Sequence, residues 1–302
     1  MKQLPVCLLL TTALFASLPH TLFAQEDAGG SEALKMAAIE ALMVAPPQRA
    51  LPVLQRLLAS DNSDELKARA LFIVGQIQLP EAHEILLDYA RNADGELQME
   101  AIRTIGISGN QELTAQLDDI YAAGGPHVRE AVLHAYLIAG DEASVFEIAQ
   151  NASSDEEFEL AVHQLGIMGA SAELAQLRDR PGASESLIQA YAIAGDTESL
   201  LVIARDNSDP ERQMAALQGL GIAGGADATT GLLDVYKGTD NYQVKEAVMH
   251  ALMISGDDTA VLELFKTAQN DQEKADLLRT LVIMDSDAAI EAIDAALASD
   301  DS

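Results

Sequence analysis

The feature that most constrains this chain is a recurring Ile-x-Gly. Six segments close on it: Ile107-Ser108-Gly109, Ile138-Ala139-Gly140, Ile167-Met168-Gly169, Ile193-Ala194-Gly195, Ile222-Ala223-Gly224 and Ile254-Ser255-Gly256. A seventh, Ile283-Met284-Asp285, keeps the frame without the glycine. Successive ends lie 31, 29, 26, 29, 32 and 29 residues apart, the length of one helical hairpin. Self-similarity at this period means stacked units, because a single hairpin cannot bury its apolar face alone.

Within a unit the apolar positions lie eight, seven and four residues before the terminal glycine, as in Val132, Leu133 and Tyr136 or Val248, Met249 and Leu252. Those offsets make one stripe on a helix. Helix starts stand between units: Asp209-Pro210-Glu211 and Ser154-Asp155-Glu156-Glu157 offer a capping oxygen and, in the first, a proline suited to the first turn. The terminal glycine closes the helix in the left-handed conformation. A second helix follows, as at 142–149 and 259–265. Earlier units are looser: Ala68–Gln78 has Gln78 in place of glycine, and Ala37–Pro46 fits more weakly. The expected fold is all-α, an α-solenoid of about eight stacked antiparallel helical hairpins over residues 31–302. Gly106, Gly166 and Gly221 precede the Ile in alternate units, where Leu137, Ala192 and Met253 stand in the others. This suggests duplication of a two-hairpin block, with chance alternation over six units as the alternative.

Composition agrees. Hydrophobic residues make up 49% of the 302 but aromatics only 4%, so the core is mostly Ala, Leu, Ile and Val, which suits closely packed helices. The 18 basic against 48 acidic residues and a formal charge of −30 argue against sequence-independent nucleic-acid binding and disfavour anionic membrane surfaces. The acidic excess either steers basic partners or keeps the protein soluble.

The first 24 residues read as a signal peptide: Lys2 is their only charge, and an apolar stretch runs from Leu8 to Leu18. Cleavage is expected after Ala24, leaving residues 25–30 as a short linker. An uncleaved anchor is the alternative, but the stretch is shorter than the ~20 apolar residues that span a bilayer. Cleavage removes Cys7, the one cysteine, so the exported chain folds without disulfides. The expected location is the periplasm; an N-terminal signal is equally compatible with secretion beyond the envelope.

The units resemble the HEAT-like repeats of the phycobilisome-lyase type, on Val128-Arg129-Glu130-Ala131 through Gly140-Asp141 and Val244-Lys245-Glu246-Ala247 through Gly256-Asp257. The resemblance covers about residues 31–298 and implies that the helix ending in glycine is the inner, concave one. The basic residue after Val is absent elsewhere, where Phe158, Ser184 and Gln213 stand, which puts its turn-bracing contact in doubt in those units. Such repeats serve lyases, adaptors and scaffolds alike. Deoxyhypusine-hydroxylase-like HEAT proteins hold two irons through several His-Glu pairs; this chain has one, His83-Glu84, too few ligands for that chemistry.

No catalytic residue, metal site or cofactor is expected. His20, His83, His127, His134, His163 and His250 form no zinc motif, and neither a phosphate-binding loop nor Gly-x-Ser-x-Gly occurs. The Asp-rich turns at Asp257-Asp258 and Asp285-Ser286-Asp287 lack a calcium loop's spaced ligands and glycine. One constellation survives. Six residues before the end of each unit the chain carries Arg103, His134, His163, Gln189, Gln218, His250 and Arg279. This position lies roughly 200° around the helix from an apolar one, so it faces outward, and stacking turns the seven into a ladder. Plain solvation would admit Glu or Asp, and neither occurs among them. Metal binding between His134 and His163 is disfavoured, because packed helices sit ~8–10 Å apart and zinc–nitrogen bonds are ~2 Å. The expected function is that of an exported, non-enzymatic scaffold or adaptor that takes a protein or peptide along the concave ladder. The alternatives are a lyase-like or metal-dependent enzyme and a structural envelope component that associates with itself.

Overall fold

Many of the helices are fixed at an end by the residues the chain supplies there. The computed structural model describes residues 26–178, 180 and 184–298. At the starts, Ser154 Oγ accepts from the Glu157 amide, Asp209 from that of Arg212, and Asp141, Asp196, Asn241, Asp257 and Asn270 cap in the same way. At the ends, Gly109, Gly140, Gly169, Gly195, Gly224 and Gly256 all have φ between 63° and 73°. The unit without the glycine keeps the turn: Asp285 is the one non-glycine described at positive φ, 54°.

The result is all-α. The helices are α1 (Glu26–Ala41), α2 (Pro47–Leu58), α3 (Asp64–Gly75), α4 (Pro80–Asn92), α5 (Gly95–Ser108), α6 (Gln111–Thr114), α7 (Leu117–Ala123), α8 (Pro126–Ala139), α9 (Glu142–Asn151) and α10 (Asp155–Met168). They continue as α11 (Ser171–Gln176), α12 (Ser184–Ala194), α13 (Thr197–Ala204), α14 (Pro210–Ala223), α15 (Gly225–Lys237), α16 (Tyr242–Ser255), α17 (Asp258–Thr267), α18 (Asp271–Ile283) and α19 (Asp287–Ala298). Among the described residues these helices form eight antiparallel hairpins: α2/α3, α4/α5, α6–α7/α8, α9/α10, α11/α12, α13/α14, α15/α16 and α17/α18. None of the described helices is long and apolar enough to cross a membrane. The leader 1–24, with Cys7 and His20, lies outside the described residues. The expected linker differs: helix α1 begins at Glu26, because packing of its C-terminal half on α3, with Ile39 buried, lets the helix propagate backwards.

One layer holds α3, α5, α8, α10, α12, α14, α16 and α18; the other holds their hairpin partners. The predicted stripe is the core between them: Val132, Leu133, Tyr136, Val248, Met249 and Leu252 are all buried, each such side chain contributing ~1.5–3 kcal/mol. The expected turn brace is met by different chemistry in different units. Arg129 Nε donates to Gly124 O at 3.1 Å. Gln213, where the basic residue is missing, is buried and gives Nε2 to Ala204 O at 2.9 Å, and Gln98 does the same to Ala90 O at 3.0 Å. Behind Phe158 the brace comes from Arg180, whose guanidinium sits 4.5 Å over the ring and donates to Ala149, Gln150 and Ala152 carbonyls at 3.0, 3.2 and 2.7 Å. The carbonyls that end α9 are thereby satisfied.

Candidate functional site

Packing within the glycine-ended layer decides which way the stack bends. Three residues before the terminal glycine, a small residue in alternate units lets the next helix approach: a Cβ on Gly106 would lie 2.6 Å from Ala135 O, one on Gly166 3.0 Å from Ala190 O, and one on Gly221 2.6 Å from Ala251 O. Helices of this layer press directly on one another, whereas those of the other layer touch sparsely. The tighter layer has the shorter path, so the stack curves towards it and its outer face is concave.

All seven ladder residues lie exposed on that face, between buried neighbours such as Leu133 and Ala135 around His134. Arg103 and Arg279 are paired within their own helices, to Glu100 at 2.7 Å and Asp276 at 2.9 Å. The five between them, His134, His163, Gln189, Gln218 and His250, have no hydrogen-bond or ion-pair partner among the described residues.

Two further rows flank the ladder, and the sequence reading missed both. Four residues on from each ladder position is the Ile of Ile-x-Gly, on the same side of the helix. Ile138, Ile167, Ile193, Ile222, Ile254 and Ile283 are between 40% and 63% exposed, an unusual position for six large aliphatic side chains in register. Four residues before the ladder position, Glu130, Glu159, Glu185 and Glu246 are exposed and form no ion pair among the described residues, while Met214 and Ala275 stand there in α14 and α18. The signal for both rows in the sequence is their spacing of four from the ladder position. The concave face thus has three parallel rows: acidic, hydrogen-bonding and apolar.

Where the small residue is missing, polar clusters take over. Leu137 and Met253 stand at this position in α8 and α16, and the α8/α10 and α16/α18 seams are the loosest in the layer. At the first, Tyr121 Oη donates to Glu157 at 2.7 Å and Arg129 Nη1 reaches the same oxygen at 3.3 Å, its guanidinium over the Tyr121 ring. At the second, Lys245 Nζ lies 2.9 Å from Glu273 and over the Tyr236 ring. Burial alone would raise the Glu157 carboxyl, but the Ser153 amide, the Tyr121 and Ser153 hydroxyls and Arg129 outweigh it and hold it low. Glu273 is held low against burial by Lys245 and Tyr236. Burial, then the glutamate, pushes Tyr121 and Tyr236 upward. Each acid is fully occupied as a structural ion.

A cavity of about 620 Å³ opens on the other layer between α11 and α13, with Arg178, Arg212, Tyr191 and three aspartates on its wall. Two of those aspartates, Asp196 and Asp209, are helix caps already. Among the described residues no three His, Cys, Asp or Glu side chains converge to hold a metal ion. His83 faces the Asn110 amide at 3.4 Å and Glu84 is exposed.

Residues 51–137 match the family model described as HEAT repeats. With that match on eight stacked hairpins, the architecture has its name. The fold is an all-α HEAT-like repeat solenoid. Two solved structures are similar to this HEAT-like solenoid. Human deoxyhypusine hydroxylase in complex with glycerol shares 19% identity, covering 88% of this chain and 91% of that one, at a TM-score of 0.32. The complex of CpcE and CpcF of phycocyanin lyase from Nostoc sp. PCC7120 shares 18%, covering 78% and 90%, at 0.29. No curated protein matches the chain.

Proposed function

We propose that this HEAT-like solenoid is an exported, non-enzymatic scaffold or adaptor that binds a protein or peptide along its concave face. The observation that carries the reading is the row of five unpartnered His and Gln side chains, one per repeat, at the centre of that face. Each can donate and accept, so the row matches the alternating groups of another chain's backbone. Export rests on the leader alone and predicts a mature N-terminus at Gln25, readable by mass spectrometry. The test of the face is to replace His134, His163, Gln189 and Gln218 by Glu together and to map partners by cross-linking mass spectrometry in intact cells. Loss of the links with circular dichroism unchanged is the expected result. Unchanged links would overturn the assignment, and stoichiometric iron or zinc in the purified protein would contradict the non-enzymatic reading.

A further inference from the structure

The three rows have a geometry that restricts what can lie on them, and the argument rests on the reading of this face as a binding surface. Along each helix, residues eight apart are ~12 Å apart, so the isoleucine and glutamate rows run parallel with the His/Gln row midway. Along the stack, equivalent residues repeat at the spacing of packed helices, ~8–10 Å. An extended β-strand repeats a face every ~6.8 Å and does not keep step with it. A polyproline II segment does: three residues per turn at 3.1 Å bring one side chain to the same face every ~9.3 Å. Its backbone has no internal hydrogen bonds and offers free donors and acceptors to Gln189, Gln218 and the histidines, which a helix would not.

Charge decides the other side of the segment. Glu130, Glu159, Glu185 and Glu246 are exposed without an ion-pair partner among the described residues, in a chain of net charge −30. A second copy would bring the same charge and the same glutamate row against them. We infer that the occupant is an extended, polyproline-II-like segment of a cationic partner, with an apolar side chain at every third residue against the isoleucine row and a Lys or Arg against the glutamate row. From α10 to α16 four closely packed helices offer Ile167, Ile193, Ile222 and Ile254, a run of three helix spacings matched by about nine residues of such a segment, ~28 Å long.

The test uses fluorescence anisotropy with protein purified from cells that express the whole chain. The dye-labelled probes are (Leu-Pro-Lys)5, a scrambled peptide of the same composition, (Ser-Pro-Lys)5, and a helix-forming amphipathic peptide with equal Leu and Lys content. (Leu-Pro-Lys)5 should bind at least about tenfold more tightly than each of the other three. Ile167→Ser, Ile193→Ser and Ile222→Ser together should erase that preference while leaving (Ser-Pro-Lys)5 unchanged. Glu130→Lys, Glu159→Lys and Glu185→Lys together should weaken (Leu-Pro-Lys)5 by about tenfold or more and flatten its salt dependence. All six positions are exposed, and circular dichroism checks that both variants fold. Equal binding of ordered and scrambled peptides, preference for the helical peptide, or no binding of (Leu-Pro-Lys)5 below millimolar overturns the inference. So does a wild-type dimer in light scattering that the serine variant dissolves, which would give the face to a second copy. If no peptide binds yet the four-Glu ladder variant still loses its cross-linked partner, only this inference fails. If that variant keeps its partner, the binding face itself is wrong.

Discussion

The close approach of neighbouring concave-layer helices can be tested by adding one carbon. A Cβ at position 106 would stand 2.6 Å from Ala135 O, 2.9 Å from its Cα and 3.1 Å from its carbonyl carbon, all main-chain atoms of α8 that cannot swing aside. Reaching ordinary contact requires α5 and α8 to part by several tenths of an ångström. Overpacking of this kind costs ~1–3 kcal/mol. Alanine also returns up to ~1 kcal/mol over glycine in a helix interior. Gly106→Ala should therefore be destabilising by ~1–2 kcal/mol, and Gly221→Ala, with the same three distances, by as much. At Gly166 the contacts are 3.0, 3.1 and 3.4 Å, so the clash is mild and the two effects nearly cancel. Urea unfolding followed by far-UV circular dichroism reads the order from the midpoints at constant m. Hydrogen exchange should place the loss at Gly106→Ala in α5 and α8, since repeat stability is a sum of local and neighbour contributions. A Gly106→Ala protein as stable as wild type, or a Gly166→Ala protein less stable than Gly106→Ala, would refute the reasoning.

Three other outcomes are expected. Arg180→Ala removes a cationic donor from three carbonyls at the end of α9 and from the Phe158 ring; it should cost ~2–3 kcal/mol in urea, and Arg180→Lys should recover less than half. Asp257→Ala uncaps α17 at the Ala260 amide and frees Thr229, so the midpoint should fall by ~1 kcal/mol equivalent. Glu157 and Glu273 are held below the ordinary carboxylate value of 4.5, so the unfolded chain takes up protons first as pH falls. The stability they give is complete above that value and is lost on acidification through their folded range. Glu157→Gln with Glu273→Gln should lower stability at neutral pH and flatten its fall below 4.5; an unchanged slope would show that the clusters carry none of it.

The repeat frame was legible because each helix end imposes a local demand that few residues meet. Glycine at positive φ and Asp, Asn or Ser at the caps recur at the same offsets, and even Asp285 holds the frame. The outward direction of Arg103 through Arg279 followed from helical geometry in the same way. What stayed hidden depends on partners distant in sequence. Tyr121 meets Glu157 across 36 residues, and Arg180 braces a helix end about 30 residues behind it. Glutamine at 213 looked like a lost basic residue until its bond to Ala204 O showed that a neutral amide does the bracing. The alternation at Gly106, Leu137, Gly166, Ala192, Gly221 and Met253 was visible as a pattern, but its meaning is a helix-to-helix distance. Ala192 belongs with the glycines, since a Cβ added to Gly219 of the next helix would lie only 3.4 Å from its own Cβ, so closeness follows side-chain size and not a strict two-hairpin beat.

That choice of residue also sets how the solenoid would answer a pull. From α3 to α8 and from α10 to α16, neighbours touch through backbone and small side chains, contacts that are short-ranged and stiff. Between these blocks, and again before α18, the joints at Leu137 and Met253 rest on Tyr121–Arg129–Glu157 and Tyr236–Lys245–Glu273, whose electrostatic attraction weakens with salt and acid. Under tension the molecule should behave as two rigid rods on ionic springs. It would yield first at α8/α10 and α16/α18, at forces that fall with ionic strength, while each rod keeps its own curvature.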